Sequence, residues 1–289
     1  MKVKHECASC MLRQANEAIE QASKDENIRM NTTLKVLEFM NKQFNENINS
    51  NKLGTDLHHL VMEETGCDDP YKELREEGNK LAEKMIPSVE KMLEDNQSLE
   101  NYIKVAIAGN IIDFGALDES ADMEKAIIQQ LNNPLVSTDI NEFEDSLNKA
   151  NNILYLADNG GEIVFDKILI KKLKEEYDLN ITLALKEGPI LNDALVQDAI
   201  DLDLDKYTTL ISTGASSVGV VKEYISDELH ELLNTSDLVI SKGMGNFEGL
   251  TEMNTKSPIY YLLSIKCSAI SKEVGLEIGS NALIKRINN

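Results

Sequence analysis

The strongest constraint on the fold is a change in the period of apolar residues near position 151. Beyond it, short apolar runs alternate with amphipathic stretches. Ile153 to Ala157 reads as a buried strand, and Ile163 to Tyr177 follows as a helix. Ile181 to Leu185, Thr209 to Ser212, Leu238 to Ser241 and Ile259 to Ile265 read as further strands. Parallel strands are buried on both faces and so lose the apolar–polar alternation of a half-exposed sheet. Strands separated by helical stretches predict a parallel sheet with helices on its faces.

Before position 151 the pattern is helical. Ala8, Met11, Leu12, Ala15, Ala18, Ile19 and Ala22 recur at the spacing of one buried helix face. Leu34 to Met40 and Leu57 to Met62 predict two more helices. Asp69-Pro70 predicts the start of a fourth, with Asp as cap and Pro in the first turn, running to about Met85, where Pro87 interrupts it. Ser98 begins a fifth. No alternating β pattern stands out in this half. The expected organisation is an all-helical N-terminal domain over 1–149 and an α/β domain over 150–289, with Asn132-Asn133-Pro134 as the boundary loop.

Charge narrows the partners. The chain has 289 residues, with 29 Lys and Arg against 50 Asp and Glu, a net charge of −21. A nucleic-acid backbone or an anionic membrane would be repelled, so neither is expected as a partner. No apolar run approaches the length of a membrane span, and the first residues have no signal-peptide core. A cytoplasmic protein is expected. An anionic substrate would need a local reversal of sign.

Open parallel sheets bind ligands beyond the C-terminal ends of their strands. Four successive strand ends carry Gly with polar residues: Asp158-Asn159-Gly160-Gly161-Glu162, Lys186 to Asp193, Ser212 to Gly219, and Lys242 to Glu248. The oxygens of Asp158, Asn159 and Asp193 suit a hard or borderline divalent cation. An Asx turn with Glu162 as a helix-start charge would explain the first loop alone, and the convergence of several loops favours the metal. Lys242 is placed to neutralise a phosphoryl group, and the glycines after it let backbone N–H groups approach. A turn with a solvated Lys is the plain alternative. Gly214 to Gly219 spaces two glycines like a P-loop but lacks the following Gly-Lys-Ser/Thr.

In the helical half, Asn110 and Asp113 stand three apart amid apolar neighbours. They are either structural or reach the α/β cleft. Cys7 and Cys10 form a C-x-x-C pair which, with Cys267, makes a second candidate metal site. A plain pair of thiols at a helix start is the alternative.

These motifs together resemble the damage-control phosphatases. The resemblance is carried by GNIID at 109–113, ADNGGE at 157–162, KEGPILNDA at 186–194 and SKGMGNFE at 241–248. Cys7-x-x-Cys10, Asp69-Pro70-Tyr71 and Lys266-Cys267 resemble its prokaryotic branch. It implies a Rossmann-like α/β/α sandwich with a mostly parallel sheet, preceded by a helical domain. It also implies a metal-dependent phosphatase acting on small phosphorylated metabolites such as sugar phosphates and damaged side products. By this resemblance the metal ligands fall on Asp158, Asn159 and Asp193, for Mn²⁺, Mg²⁺, Co²⁺ or Ni²⁺. Glu162, Asn110 and Asp113 border the substrate, Lys242 and Asn246 hold phosphate, and Ser212 and Gly214 lie on a more variable loop. The chain departs from the family at Gly160-Gly161, where a bulkier residue is common.

The expected chemistry is phosphomonoester hydrolysis, with Asp158, Asp193 and Lys242 as catalytic residues. Attack by a carboxylate and attack by water are both compatible with the sequence. Two rivals fit some of the same loops: a nucleotide- or S-adenosylmethionine-binding carboxyl methyltransferase, as this family has at times been described, and a non-enzymatic metal- or metabolite-binding protein.

Overall fold

A computed structural model describes residues 1–109, 125, 128–129, 132–137 and 139–286. Five helices open the chain: α1 (Cys7–Ala22), α2 (Glu26–Gln43), α3 (Ser50–Thr65), α4 (Lys72–Glu94) and α5 (Leu99–Ala108). Then follow β1 (Leu135–Ser137), α6 (Ile140–Leu147), β2 (Asn152–Leu156), α7 (Glu162–Glu176), β3 (Asn180–Leu185), α8 (Val196–Asp201) and β4 (Thr209–Ser212). The chain continues through α9 (Asp227–Thr235), β5 (Leu238–Lys242), α10 (Gly243–Leu250), β6 (Ile259–Ser264), α11 (Ser268–Val274) and β7 (Asn281–Lys285).

The strands form one seven-stranded sheet in the order β1-β7-β6-β5-β2-β3-β4. All neighbours run parallel except β6 and β7. From β2 the chain builds outward through β3 to β4, then returns to place β5 on the other side of β2. The switch point therefore lies between β2 and β5, where this class of sheet opens a crevice at its C-terminal edge.

Both faces of the sheet are covered. Ile153, Tyr155, Leu183, Ile240 and Leu262 face a core shared with α4, α5 and α7. Leu154, Leu156, Val239, Tyr261 and Leu263 face a second core shared with α9, α10 and α11. A third core joins α1, α2 and α3 through Met11, Ala15, Val36, Leu53 and Leu57. Burial on both faces is why the strands read as continuous apolar runs.

Three sequence expectations change. First, α4 begins at Lys72 rather than at Asp69-Pro70. The residue before it is Tyr71, and Asp69 accepts two hydrogen bonds from Arg75 instead of capping the helix. Second, α4 runs through Pro87 to Glu94. A helix-interior Pro costs about 3 kcal/mol, and burial of Met85, Val89 and Leu93 on the same helix offsets it. Third, β1 lies within the half expected to be all helical, and β7 was missed. Both are short, and β1 is an edge strand of three residues, too brief to show a period. Among the described residues, no helix is long and apolar enough to cross a membrane.

Candidate functional site

The loops after β2 and β3 are joined by backbone hydrogen bonds. Ala194 N donates to Asp158 O at 2.8 Å, and Gly160 N donates to Asn192 O at 2.7 Å. Asn159 and Asp193 thus pair as an isolated antiparallel bridge. This zipper brings Asp158, Asn159 and Asp193, expected from sequence to act together, to one end of the sheet at the switch point. Asp193 is buried, while Asp158 and Asn159 are half-buried. The Asn159 side-chain nitrogen donates to Asp158 Oδ2 at 2.9 Å and to Glu162 Oε2 at 3.3 Å.

The fourth loop closes on the first. Helix α10 starts directly after β5, at Gly243 with φ +76°. A Cβ on Gly243 would lie 1.9 Å from Asp158 Oδ2. Only glycine permits both this backbone angle and this approach. The carboxylate of Asp158 therefore sits against the N-terminal end of α10, where unpaired N–H groups favour negative charge.

Electrostatics dominate the site. Burial, together with Glu162 and Asp193, raises the Asp158 carboxyl well above its ordinary value. Burial pushes Asp193 up to about 6 against the opposing pull of Lys186, whose ammonium lies 3.4 Å away. Arg75 also pulls Asp193 down. Lys186 is buried and donates to Gly219 O at 2.7 Å.

Lys242 was expected to face a substrate phosphate. The structure places its fully buried ammonium on Glu162, on Asp166 Oδ1 at 2.6 Å and on Ala106 O at 2.9 Å. An ammonium has three donors, and these three acceptors use them. Burial pulls Lys242 down, but Asp166 and Glu162 outweigh it and hold the ammonium above its ordinary value. Burial raises Asp166 to about 6, and Tyr155 donates to its Oδ1 at 2.7 Å. Lys242 thus ties β5 to α7 beneath the loops. Asn246 was also expected on phosphate; its amide instead donates to Ala157 O and Lys242 O, both at 2.9 Å, clipping α10 to the end of β2. Ser212 donates to the Glu187 carboxylate and accepts from Gly214 N at 2.9 Å on the half-exposed third loop. Asn110 and Asp113 lie outside the described residues.

Asp166, Lys186, Arg75 and Asn79 were missed as site residues. Asp166 carried a readable signal, a carboxylate inside the apolar run Ile163 to Ile170, one turn after Glu162. Lys186 follows β3 directly but resembles any strand-end lysine.

A divalent cation fits this donor set. Asp158, Glu162, Asp193 and Asp166 gather four carboxyl groups among the cations Lys186, Lys242 and Arg75. The donors are hard oxygens. Among the described residues, no three His, Cys, Asp or Glu side chains form a metal-ligating group. A cation here would therefore use two carboxylates, the Asn159 amide oxygen and other oxygen ligands. Cys7, Cys10 and Cys267 are free thiols. Cys7 accepts from Lys4 N at 3.3 Å and Cys267 from Ile270 N at 3.5 Å, and burial pushes both thiols up.

Residues 3–282 match the model of the damage-control phosphatase ARMT1-like domain. The chain belongs to the damage-control phosphatase ARMT1-like family. It is 36% identical to a damage-control phosphatase of Pyrococcus horikoshii, covering 98% of this chain and 97% of that protein. It is also 36% identical to an uncharacterized protein of Methanocaldococcus jannaschii, over 99% of this chain and 96% of that one. A crystal structure of a DUF89 family protein from Pyrococcus horikoshii superposes with a TM-score of 0.90 at 34% identity, covering 99% of this chain and 100% of that chain. Membership in the damage-control phosphatase family thus extends over both the helical half and the sheet.

Proposed function

We propose that the chain is a metal-dependent phosphatase that hydrolyses small phosphorylated metabolites, sugar phosphates or damaged side products among them. The observation that carries this reading is the zippered pair of loops, which sets Asp158, Asn159 and Asp193 together at the switch point beside the buried carboxyl of Glu162. Asp158, Asn159 and Asp193 would hold the cation. When bound, the cation would take a phosphate oxygen and polarise phosphorus.

The chain's own groups supply the rest. Asp158 is half-buried whereas Glu162 and Asp193 are buried, so of the three it is the acid most open to an incoming phosphoryl group. The N-terminal N–H groups of α10 favour the spreading negative charge of the transferring group. Lys186 supplies the positive charge beside Asp193. Lys242 acts one layer down by fixing Glu162 and Asp166 on α7.

The test is a screen of Mn²⁺, Mg²⁺, Co²⁺ and Ni²⁺ against a panel of phosphomonoesters, with elemental analysis of the purified protein. The expected result is metal-stimulated phosphate release that Asp158→Ala abolishes. Full activity in Asp158→Ala, or no release by the parent protein with any metal, would overturn the reading. Tight S-adenosylmethionine binding in the presence of chelator would favour a transferase instead.

A further inference from the structure

The two loops that carry the candidate metal ligands are both gripped by one face of α4. Asn79 and Arg75 stand one helical turn apart on that face. Asn79 Oδ1 accepts from Gly161 N at 2.6 Å, two residues after Asn159. Asn79 Nδ2 donates to Asp198 Oδ1 at 2.8 Å. The other oxygen of Asp198 accepts from Leu195 N at 2.8 Å, two residues after Asp193, and lies 3.4 Å from Arg75 Nε. Arg75 is itself 5% exposed and donates to both oxygens of Asp69, at 3.2 and 2.6 Å.

Arg75 also explains the glycine at 160. A Cβ there would lie 2.4 Å from Arg75 Cγ and 3.3 Å from Cδ and from Asn192 O. The guanidinium stem occupies the volume that a bulkier residue at position 160 would take. The helical half thus fills the first loop from above, while the second loop zips to it from the side.

We propose that Arg75 and Asn79 are positioning residues for the divalent-cation site, setting the separation of the Asn159 and Asp193 loops. The proposal rests on the metal-dependent phosphatase reading. Groups that orient ligands from behind typically alter metal affinity 10–100-fold when removed. A purely structural role would lower stability without a matching change in metal affinity.

The hydrogen bonds offer a reciprocal test. Asn79→Asp alone sets a second carboxylate against Asp198. Combined with Asp198→Asn, it restores these three hydrogen bonds and forgoes only the ion pair with Arg75, because the amide then sits at 198, donates back to position 79, and still accepts from Leu195 N. Mn²⁺ binding is measured by calorimetry on metal-stripped full-length protein, with thermal unfolding in chelator as the stability control. Asn79→Ala and Asn79→Asp are expected to bind Mn²⁺ 10–100-fold more weakly than the parent. The exchanged pair is expected to return to within about threefold of the parent. Parent-like binding by Asn79→Ala, or weak binding by a folded exchanged pair, overturns the proposal. Should Asn79→Ala fail to fold, the exchanged pair against Asn79→Asp decides. A folded parent that binds no Mn²⁺ refutes the metal reading itself, an outcome distinct from parent-like binding in the variants.

Discussion

Replacing Lys242 with Met isolates the buried ion network. Met keeps most of the aliphatic stem and removes the charge. The ammonium is fully buried, and its partners Glu162 and Asp166 are 0% exposed. Removing one partner of a buried pair costs about 3–5 kcal/mol, because the other charge is left without compensation. Protonation sets a ceiling on that cost. Asp166 has an ordinary value of 3.8 and already sits at about 6 with Lys242 present. Neutralising such a carboxyl in the folded protein costs at most about 4 kcal/mol at pH 7 and under about 2 kcal/mol at pH 5. The sign follows: the folded variant holds protons that the unfolded chain releases, so its stability falls as pH rises above 3.8 and recovers as pH falls. Urea unfolding should therefore show Lys242→Met less stable than the parent by about 3–4 kcal/mol at pH 7, with a gap at least about 1 kcal/mol smaller at pH 5. A loss under about 1 kcal/mol at pH 7, or a gap that does not narrow at pH 5, would refute this account of the network.

Further outcomes follow from other positions. Gly243→Ala should abolish phosphate release while leaving a folded protein, since its Cβ would meet Asp158 Oδ2 at 1.9 Å; undiminished activity would contradict the close approach. His58 is held by burial, and to a lesser degree by His59, down at about 4, from an ordinary 6.5. Its folded form resists protonation, so its share of stability is complete above pH 6.5 and is lost as pH falls to about 4, by roughly 3 kcal/mol in total. Against the parent, His58→Gln should show a flatter fall in stability across that window in denaturant titrations. Pro87 is exposed within α4, so Pro87→Ala should stabilise the protein by about 1–3 kcal/mol, read as a rise in Tm.

The parallel sheet was legible because its strands are buried on both faces and keep their apolar character through Ile153 to Leu156 and Leu238 to Ile240. The grouping of Asp158, Asn159 and Asp193 was legible because strand ends converge in such sheets. What the sequence did not show is which cations are already committed. Lys242 and Lys186 look alike in a chain, each at the C-terminal end of a strand. Only the packing of α5 and α7 reveals that Lys242 is saturated by Ala106, Glu162 and Asp166. The contribution of α4 was hidden for a related reason. Asp69 has the right spacing for a helix cap, but it is the partner of Arg75, whose stem packs against Gly160 in a loop more than 80 residues away in sequence. The strands β1 and β7 were missed because three to five residues are too few for a period to emerge.

A divalent cation held by Asp158, Asn159 and Asp193 would make one acidic crevice competent for phosphate. The most direct test is phosphate release by chelator-stripped protein before and after Mn²⁺ is restored, for the parent and for Asp193→Asn. The account predicts no release without metal, recovery in the parent, and at least a hundredfold less recovery in the variant, on the order expected when a carboxylate in direct contact with the reaction is lost. Undiminished release by the stripped parent, or full recovery in Asp193→Asn, would contradict it.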